Sequence, residues 1–169
     1  MSENSEYKIL VVDDEPLIRE SLFEILRIQG YSVRIAATAE EALELMAEEK
    51  SDIILTDMKL PKMSGIELLE KVKEKYSNTG VVLITGYGSI DTAIDAMKKG
   101  AFDYITKPIN DNEIKLTIRR IIQQHKIISE GVESGRNLLT GGRESYGEMI
   151  GSSPKMQKIY QIIESVATT

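Results

Sequence analysis

The residues of this sequence that are best suited to chemistry are acidic. Asp13, Asp14 and Glu15 follow one another near the N-terminus, and Asp57 follows a later apolar run. Two carboxylates about 4 Å apart repel by about 4 kcal/mol at an effective dielectric constant of about 20, so a cluster of three needs either a cation or a proton. If folding brings these residues together, they predict a site for a divalent cation with oxygen ligands, and Mg²⁺ is the abundant choice in a cell.

A threonine and a lysine complete the candidate set. Thr85 ends an apolar run, and Lys107 stands directly before Pro108. Once a metal is present, the pocket can accept a phosphoryl group, whose oxygens are neutralised by the metal and Lys107 while Thr85 donates a hydrogen bond. Asp57 is the best candidate nucleophile, since it stands alone opposite the acidic pair and aspartyl phosphates are an established covalent outcome. Pro108 restricts the preceding residue to extended backbone, which fixes the direction of the lysine.

Five apolar runs alternate with five amphipathic stretches between residues 7 and 128. This order predicts an α/β fold, a doubly wound sheet of five parallel strands with helices on both faces. Three runs are rich in Val, Ile and Leu without polar alternation, as expected of strands that are covered on both faces. Such sheets bind ligands at the carboxyl ends of their strands, so the residues above should converge on one rim. The predicted strands are Lys8–Val12, Ser32–Ala36, 52–56, 80–84 and Asp103–Thr106.

Capping residues mark the ends of the predicted helices. Pro16 suits the first turn of the first helix. Gly30 and Gly100 follow the last residues of the first and fourth helices, where glycine is favoured. The start signals of the remaining helices are Thr38 with Glu41, Ser64 with Glu67, Ser89, and Asn110 with Glu113.

The last two helices carry apolar patterns that predict how they pack. On the fourth helix, one stripe should form the packing face, namely Ile90, Ala93, Ile94 and Met97. The fifth helix is longer than the domain requires, and its apolar residues recur at spacings of four and three, which predicts a dimer seam with a second chain. The alternative is that the first three seam residues pack on the sheet and the rest is a solvated helix end. The seam is Ile114, Ile118, Ile121, His125, Ile128 and Val132.

Composition excludes several classes of protein. The chain of 169 residues has no cysteine, which excludes disulfides and thiolate metal sites, and its single histidine, His125, excludes a multi-histidine metal cage. The net charge of -6 is unsuited to contact with nucleic acid. The longest uncharged stretch, residues 76–90, is shorter than the about 20 apolar residues of a membrane span, and the N-terminus lacks the pattern of a signal peptide. We therefore expect a soluble cytoplasmic protein without membrane or nucleic-acid contacts.

These residues resemble the receiver domain of bacterial two-component response regulators. The resemblance covers about residues 7–127, and it implies a flavodoxin-like fold with strand order 2-1-3-4-5 and an extended C-terminal helix. It also implies a sensor histidine kinase as the partner that supplies the phosphoryl group. The segments that carry the resemblance are 9–14, 53–61, 83–88 and 101–108.

The resemblance assigns a role to each residue of the rim. Asp57 would be the phospho-acceptor. Mg²⁺ would be bound directly by Asp14, Asp57 and the backbone carbonyl of Lys59, and by Asp13 through a water. Lys107 would sense the phosphate.

The family also has a switch pair and two positions that set the lifetime of the phosphate. Thr85 and Tyr104 would be the switch pair, and the peptide bond before Pro108 would be cis. Lys59 and Tyr87 would flank the route of an attacking water and so tune dephosphorylation. The alternative for this last pair is that both are only exposed side chains.

Two further segments resemble a subfamily, the NtrC/DctD-type activators that work with sigma-54 RNA polymerase. They are residues 85–108 and 150–156, the latter resembling the opening of an AAA+ ATPase domain. We therefore expect a receiver domain over 7–127, a linker over 128–145 that is helical at its start, and a truncated AAA+ start over 146–169. Dimerisation would use the α4-β5-α5 surface or the linker helix, and the polymerase would be reached only through domains absent from this chain.

The sequence predicts a regulatory domain with at most self-dephosphorylation. It contains no Gly-x-x-x-x-Gly-Lys-Ser/Thr phosphate loop, so ATPase activity by that route is not expected. An aspartyl-phosphate phosphatase would have a second acid at the position of Lys59, and a flavin binder would have a first loop rich in Ser, Thr and Gly in place of Asp13 to Glu15. A receiver fold that only dimerises, without phosphorylation, is the remaining alternative.

Overall fold

A computed structural model describes residues 3–133 of the chain, with the side chains of residues 132 and 133 excepted. A short 3-10 helix, Glu3–Glu6, precedes five strands and five helices in strict alternation. The strands are β1 (Lys8–Val12), β2 (Ser32–Ala36), β3 (Ile53–Asp57), β4 (Gly80–Thr85) and β5 (Asp103–Thr106). The helices are α1 (Pro16–Ile28), α2 (Ala39–Glu48), α3 (Gly65–Lys75), α4 (Ile90–Lys98) and α5 (Asp111–Glu133).

The strands form one parallel sheet in the order β2-β1-β3-β4-β5, which confirms the predicted fold. The order reverses between β1 and β3, so a crevice opens there at the carboxyl ends of the strands. Strands β3 and β4 each end one residue later than predicted, on Asp57 and Thr85. Asp57 pairs in register with Ile84, and Thr85 pairs with Thr106. The sheet therefore fixes the backbone of both rim residues.

Alternate residues of the central strands face opposite layers of the core. Ile9 and Val11 of β1 pack with Leu22 and Leu26 of α1. Leu10 and Val12, on the other face of β1, belong to the cluster that includes helices α2 and α3. Because both faces are covered, all six residues of β4 are buried, as expected of a doubly wound sheet.

The first helix begins at Pro16 as predicted, without a side-chain cap, and hydrogen bonds of the capping residues confirm the other four predicted helix starts. The Thr38 hydroxyl accepts from the Glu41 amide, and the Ser89 hydroxyl accepts from the Thr92 amide. Gly30 and Gly100 have φ of 90° and 100°, the left-handed conformation that favours glycine after a helix. Helix α3 starts with a complete capping box between Ser64 and Glu67. At the start of α5, the Asn110 side chain accepts from the Asn112 amide.

The predicted packing face of α4 is partly wrong. Ala93 and Ala96 are its buried residues, and Met97 packs beside them on the core. Ile90, the first residue of the helix, is 58% exposed and is not part of the packing face. The helix therefore contacts the sheet through small residues, which lets its backbone lie close to the strands.

The predicted dimer seam on α5 is wrong for its first three residues. Ile114, Ile118 and Ile121 are at most 1% exposed and belong to the core layer that includes α1. A helix of this fold must bury an apolar stripe against the sheet, and these residues form that stripe. His125 is half-buried and Ile128 is 43% exposed, so the accessible part of the seam begins after the domain core ends.

The proposed AAA+ start over 146–169 and most of the linker lie outside the described residues. Helix α5 continues to Glu133, so the first residues of the predicted linker are helical. Among residues 3–133, no helix combines the length and the apolar character needed to cross a bilayer.

Candidate functional site

Three acidic side chains meet at the rim where the strand order reverses. Asp13 and Asp14 follow β1, and Asp57 ends β3. One carboxylate oxygen from each lies within 4.8 Å of the others. Asp13 and Asp57 are 1% and 5% exposed, whereas Asp14 faces solvent. The sequence therefore predicted correctly that these three residues converge.

The Asp13 carboxylate has one oxygen that is satisfied and one that is not. Its Oδ1 accepts from the Glu15 amide at 2.8 Å, while its backbone carbonyl accepts from Arg19. Its buried Oδ2 has no hydrogen-bond partner among the described residues, since the Lys107 ammonium is 3.6 Å away. Burial, reinforced by the charges of Asp57 and Glu15, raises the pKa of Asp13. A buried oxygen without a partner, beside two more carboxylates, fits the ligand set of a hard divalent cation.

Asp57 is held by two different donors. Its Oδ1 accepts from the Lys59 backbone amide at 3.0 Å, and its Oδ2 accepts from the Lys107 ammonium at 2.9 Å. The first bond comes from the loop that follows β3, and the second from the loop that follows β5. The carboxylate is thereby oriented from both sides, with its reactive oxygens toward the rim.

Gly65 supports this arrangement, although the sequence analysis did not identify it. A Cβ atom at Gly65 would lie 2.2 Å from the Asp57 carbonyl oxygen and 2.9 Å from the Met58 Cα. Both obstacles are backbone atoms, so α3 can start this close to the end of β3 only at a glycine. The sequence signal that could have identified it is a glycine, a poor helix former, directly after the capping residue Ser64.

Lys107 bridges the acidic residues. Its ammonium pairs with the carboxylates of Asp57, Glu15 and Asp13 at 2.9, 3.2 and 3.6 Å. Burial opposes the charged form, but hydrogen bonds to Asp57 and Glu15 outweigh it and raise the pKa of Lys107 above its usual range. Its backbone amide donates to the Thr85 carbonyl, and the peptide bond to Pro108 is cis, as the resemblance implies. Lys107 is therefore a fixed positive charge at the rim.

Thr85 and Tyr104 lie on adjacent strands beneath the loop that joins β4 to α4. Thr85 is 2% exposed, and its hydroxyl accepts from the Tyr87 amide at 3.2 Å. The Tyr104 ring is half-buried, and a Cβ at Gly88 would lie 3.0 Å from its Cε2. The same loop therefore contacts both residues, so a movement of one changes the space available to the other.

Lys59 and Tyr87 meet above the rim. The Lys59 ammonium lies 5.1 Å from the centroid of the Tyr87 ring, within cation–π range. Both side chains are solvent-exposed, and Tyr87 is 83% exposed. The pair joins the loop after β3 to the loop after β4.

An apolar groove of about 360 Å³ adjoins Lys107. It lies between α1 and the loop that leads into α5, and Leu17 at its edge is 82% exposed. The groove is lined by Leu17, Ile18, Ser21, Leu22, Ile25, Lys107, Pro108, Ile109 and Asp111.

Comparison with known proteins identifies one family. The sequence matches the response regulator receiver domain over residues 9–139. A solved receiver domain protein from Clostridium thermocellum has a TM-score of 0.69 at 37% identity, covering 72% of this chain and 98% of that one. The receiver domain of NtrX from Brucella abortus has a TM-score of 0.65 at 34% identity, covering 68% and 98%.

Curated relatives are longer regulators. Response regulator protein PilR of Pseudomonas aeruginosa is 37% identical over 163 residues, which cover 96% of this chain and 34% of that protein. DNA-binding transcriptional regulator NtrC of Proteus hauseri is 33% identical over 155 residues, which cover 92% and 32%. The chain therefore spans about a third of the length of these relatives.

Proposed function

This chain belongs to the response regulator receiver domain family, and from that membership we propose that it is a switch set by phosphorylation of Asp57. One observation carries the proposal. Asp57 ends a buried central strand with one oxygen on the Lys107 ammonium, and the carboxylates of Asp13 and Asp14 lie within 4.8 Å. Such a set binds a divalent cation and then a phosphoryl group, which neither a purely structural nor a nucleotide-binding rim requires.

The proposed reaction is an in-line transfer to Asp57. A carboxylate oxygen attacks phosphorus, the bond from phosphorus to the donor's leaving atom breaks, and the electron pair stays on that atom. A phosphohistidine leaves as neutral imidazole when its second ring nitrogen carries a proton, and acetyl phosphate leaves as acetate. Lys107, 2.9 Å from Asp57 Oδ2, is placed to stabilise charge on the transferred oxygens.

Mg²⁺ is the proposed cofactor of this transfer. It would be held by Asp14, Asp57 and the backbone carbonyl of Lys59, with Asp13 acting through a water. When bound, it supplies positive charge that offsets the phosphoryl oxygens. The Oδ2 of Asp13, which has no hydrogen-bond partner among residues 3–133, supports this assignment, because a buried carboxylate oxygen is costly unless it has a ligand.

A sensor histidine kinase is the proposed phosphodonor. The apolar groove between α1 and the loop before α5 supports this, since it offers buried apolar contact directly beside Lys107. Exposed Leu17 widens the apolar surface at its edge. A helical donor domain that seats apolar side chains there would bring its phosphohistidine to the acceptor rim.

The proposed readout runs through Thr85 and Tyr104. Phosphate on Asp57 adds about two negative charges and strong acceptor oxygens, which draw the Thr85 hydroxyl away from the Tyr87 amide. Tyr104 then fills the space that Thr85 leaves. The surface formed by α4, β5 and α5 changes with them, as a two-state shift that the phosphate biases.

Lys59 and Tyr87 are the proposed determinants of phosphate lifetime. Their cation–π contact joins two loops at the mouth of the site, where a water must pass to attack the aspartyl phosphate. A closed pair reduces that access, and separation of the pair increases it.

The chain would act within a longer transcription activator of the NtrC type. Its relatives support this, because they match nearly the whole chain and extend well beyond it. Dimerisation through the α4-β5-α5 surface or the continuation of α5 would transmit the signal, and contact with sigma-54 RNA polymerase would lie in further domains. The alternative is a receiver fold that dimerises without phosphorylation.

Phosphorylation in solution tests the proposal. Incubation with acetyl phosphate and Mg²⁺ should add about 80 Da to the intact mass, and EDTA should prevent it. Asp57→Asn should remove the adduct while leaving the fold intact by circular dichroism. An adduct retained in that variant would contradict Asp57 as the acceptor. No adduct in the wild type, with dimers by light scattering, would favour the alternative.

A further inference from the structure

One contact of Lys107 has no place in the reaction described above. Glu15 Oε1 accepts from the Lys107 ammonium at 3.2 Å, across 92 positions of the sequence. The Glu15 backbone amide is fixed at the same time by the Oδ1 of Asp13. Glu15 therefore reaches over the rim from the start of α1 and holds the lysine from a second side.

Glu15 competes for the hydrogen-bonding capacity of Lys107. The Lys107 ammonium donates hydrogen bonds to Asp57 at 2.9 Å and Glu15 at 3.2 Å, and its charge also faces Asp13 at 3.6 Å. A phosphoryl oxygen that binds Lys107 must compete with these carboxylates for its positive charge. Asp57 and Asp13 belong to the acceptor site itself, so the contact with Glu15 is the one that can be given up.

Glu15 is also placed where a phosphodonor that approaches from solvent meets its negative charge. Its side chain is 61% exposed, whereas those of Asp57 and Asp13 are 7% and 1% exposed. A donor that diffuses in from solvent approaches on the exposed side and meets this carboxylate first. Repulsion between like charges grows in proportion to the charge of the donor and weakens with added salt.

We propose that Glu15 is a positioning and specificity residue, which holds Lys107 in the resting site and disfavours highly charged small phosphodonors. This inference rests on the proposed phosphorylation of Asp57. In a docked protein donor, the phosphoryl group arrives already oriented and can displace Glu15 from Lys107. A free anionic donor must instead overcome both the occupied ammonium and the exposed carboxylate.

Two small donors of different charge test the inference. Acetyl phosphate is a dianion at neutral pH and releases acetate to solvent, whereas phosphoramidate is a zwitterion with a net single negative charge and releases ammonia. Rate constants for Asp57 phosphorylation are measured with each donor at saturating Mg²⁺. The variants are Glu15→Gln, which removes the charge but keeps a side chain of the same length, and Glu20→Gln as a matched control. Glu20 is an exposed acid of α1 that does not belong to the carboxylates around Lys107.

Glu15→Gln should accelerate phosphorylation by acetyl phosphate about 3- to 10-fold at low salt, and by phosphoramidate about 2- to 3-fold. The gain with acetyl phosphate should fall below about 2-fold at about 1 M salt, where the Debye length is about 3 Å. Glu20→Gln should change both rates by less than about 1.5-fold, because its charge is remote and screened. A merely structural role of Glu15 would not produce a gain that depends on donor charge and on salt.

Calorimetric titration with beryllofluoride and Mg²⁺ gives a second measurement that needs no covalent step. Glu15→Gln should bind this phosphoryl mimic more tightly than the wild type and than Glu20→Gln. The inference is overturned if Glu15→Gln slows phosphorylation with both donors, or if it matches Glu20→Gln in rates and in affinity. A wild type that neither takes up a phosphoryl group nor binds the mimic would overturn the proposed function, and this inference with it.

Discussion

The amino edge of the sheet differs from the carboxyl edge in how its buried polar groups are satisfied. At the amino edge, the Thr79 hydroxyl donates to the Ser51 carbonyl at 2.9 Å, and Lys73 donates to the Thr79 carbonyl at 2.6 Å. Asp52 there accepts from the Lys8 amide at 2.9 Å. At the carboxyl edge, Asp13 is equally buried, but its Oδ2 is without a hydrogen-bond partner in the described residues.

This difference suggests that polar groups at the amino edge serve the stability of the fold, whereas those at the carboxyl edge serve the phosphorylation site. Paired polar groups contribute modestly to the folding free energy, whereas crowded and partnerless ones reduce it. The carboxyl edge therefore carries a cost that a ligand can relieve, whereas the Thr79 hydroxyl and the Asp52 carboxylate at the amino edge are paired within the protein. Substitutions at the two edges should consequently have different effects on stability and on phosphorylation.

The largest difference in stability and in phosphorylation rate is expected between two glycine-to-alanine substitutions, one at each edge. Gly65→Ala at the carboxyl edge would place Cβ 2.2 Å from the Asp57 carbonyl oxygen, so the backbone of the acceptor must shift. We expect a loss of about 3 kcal/mol or more in the free energy of unfolding and a large fall in the phosphorylation rate. Chemical denaturation and intact-mass kinetics measure the two effects.

Gly80→Ala is the matched change at the amino edge. Its Cβ would lie 2.7 Å from Ile121 Cγ2, an obstacle in a side chain that can repack. We expect a loss of about 1–2 kcal/mol with an unchanged phosphorylation rate. Gly86→Ala, whose Cβ would meet nothing within 4 Å, should change neither quantity. Equal losses of activity at Gly65 and Gly80 would contradict the division between the edges.

The next largest effect is expected from a substitution that stabilises the metal-free protein while weakening its binding of Mg²⁺. Asp13→Asn removes one charge from the crowded edge and keeps the acceptor for the Glu15 amide. In EDTA we expect the free energy of unfolding to rise by about 2 kcal/mol, measured by urea denaturation. With Mg²⁺ the difference should shrink, because the wild type gains binding energy that the variant loses. A variant less stable than the wild type in EDTA would contradict this.

The same comparison has a predicted pH dependence. Burial raises the pKa of Asp13, so between about pH 4 and this raised value the folded state binds more protons than the unfolded state. The stability of the metal-free wild type should therefore fall as the pH rises through that range. The advantage of Asp13→Asn should grow over the same range and vanish at acid pH, below the usual pKa of an aspartate.

The smallest effect belongs to the amino edge. Thr79→Val keeps the shape of a fully buried side chain but removes its hydrogen bond to the Ser51 carbonyl. We expect a loss of about 1 kcal/mol in the free energy of unfolding and no change in the phosphorylation rate. Thr79→Ser, which keeps the hydroxyl, separates the hydrogen bond from packing. A reduced phosphorylation rate in Thr79→Val would show that the edges are coupled.

Local patterns predicted much of this molecule. Alternating runs and capping residues predicted the parallel sheet and the helix starts, because each depends on neighbours a few residues apart, whereas the strand order was implied by the family resemblance. The same reasoning placed Asp57 and Thr85 after or near strand ends, and the structure makes them the last residues of their strands. The heptad on α5 misled because Ile114, Ile118 and Ile121 have a spacing that suits a sheet as well as a second helix.

The sequence by itself determined the fold class and the set of acidic residues at the rim, since hydrophobic periodicity and strand ends are properties of short segments. Only the tertiary structure decided which α5 residues are buried, why position 65 must be glycine, and that Glu15 holds Lys107. The physical reason is that each of these depends on atoms brought together from distant parts of the chain. A distance of 3.2 Å between residues 92 positions apart leaves no local pattern in the sequence.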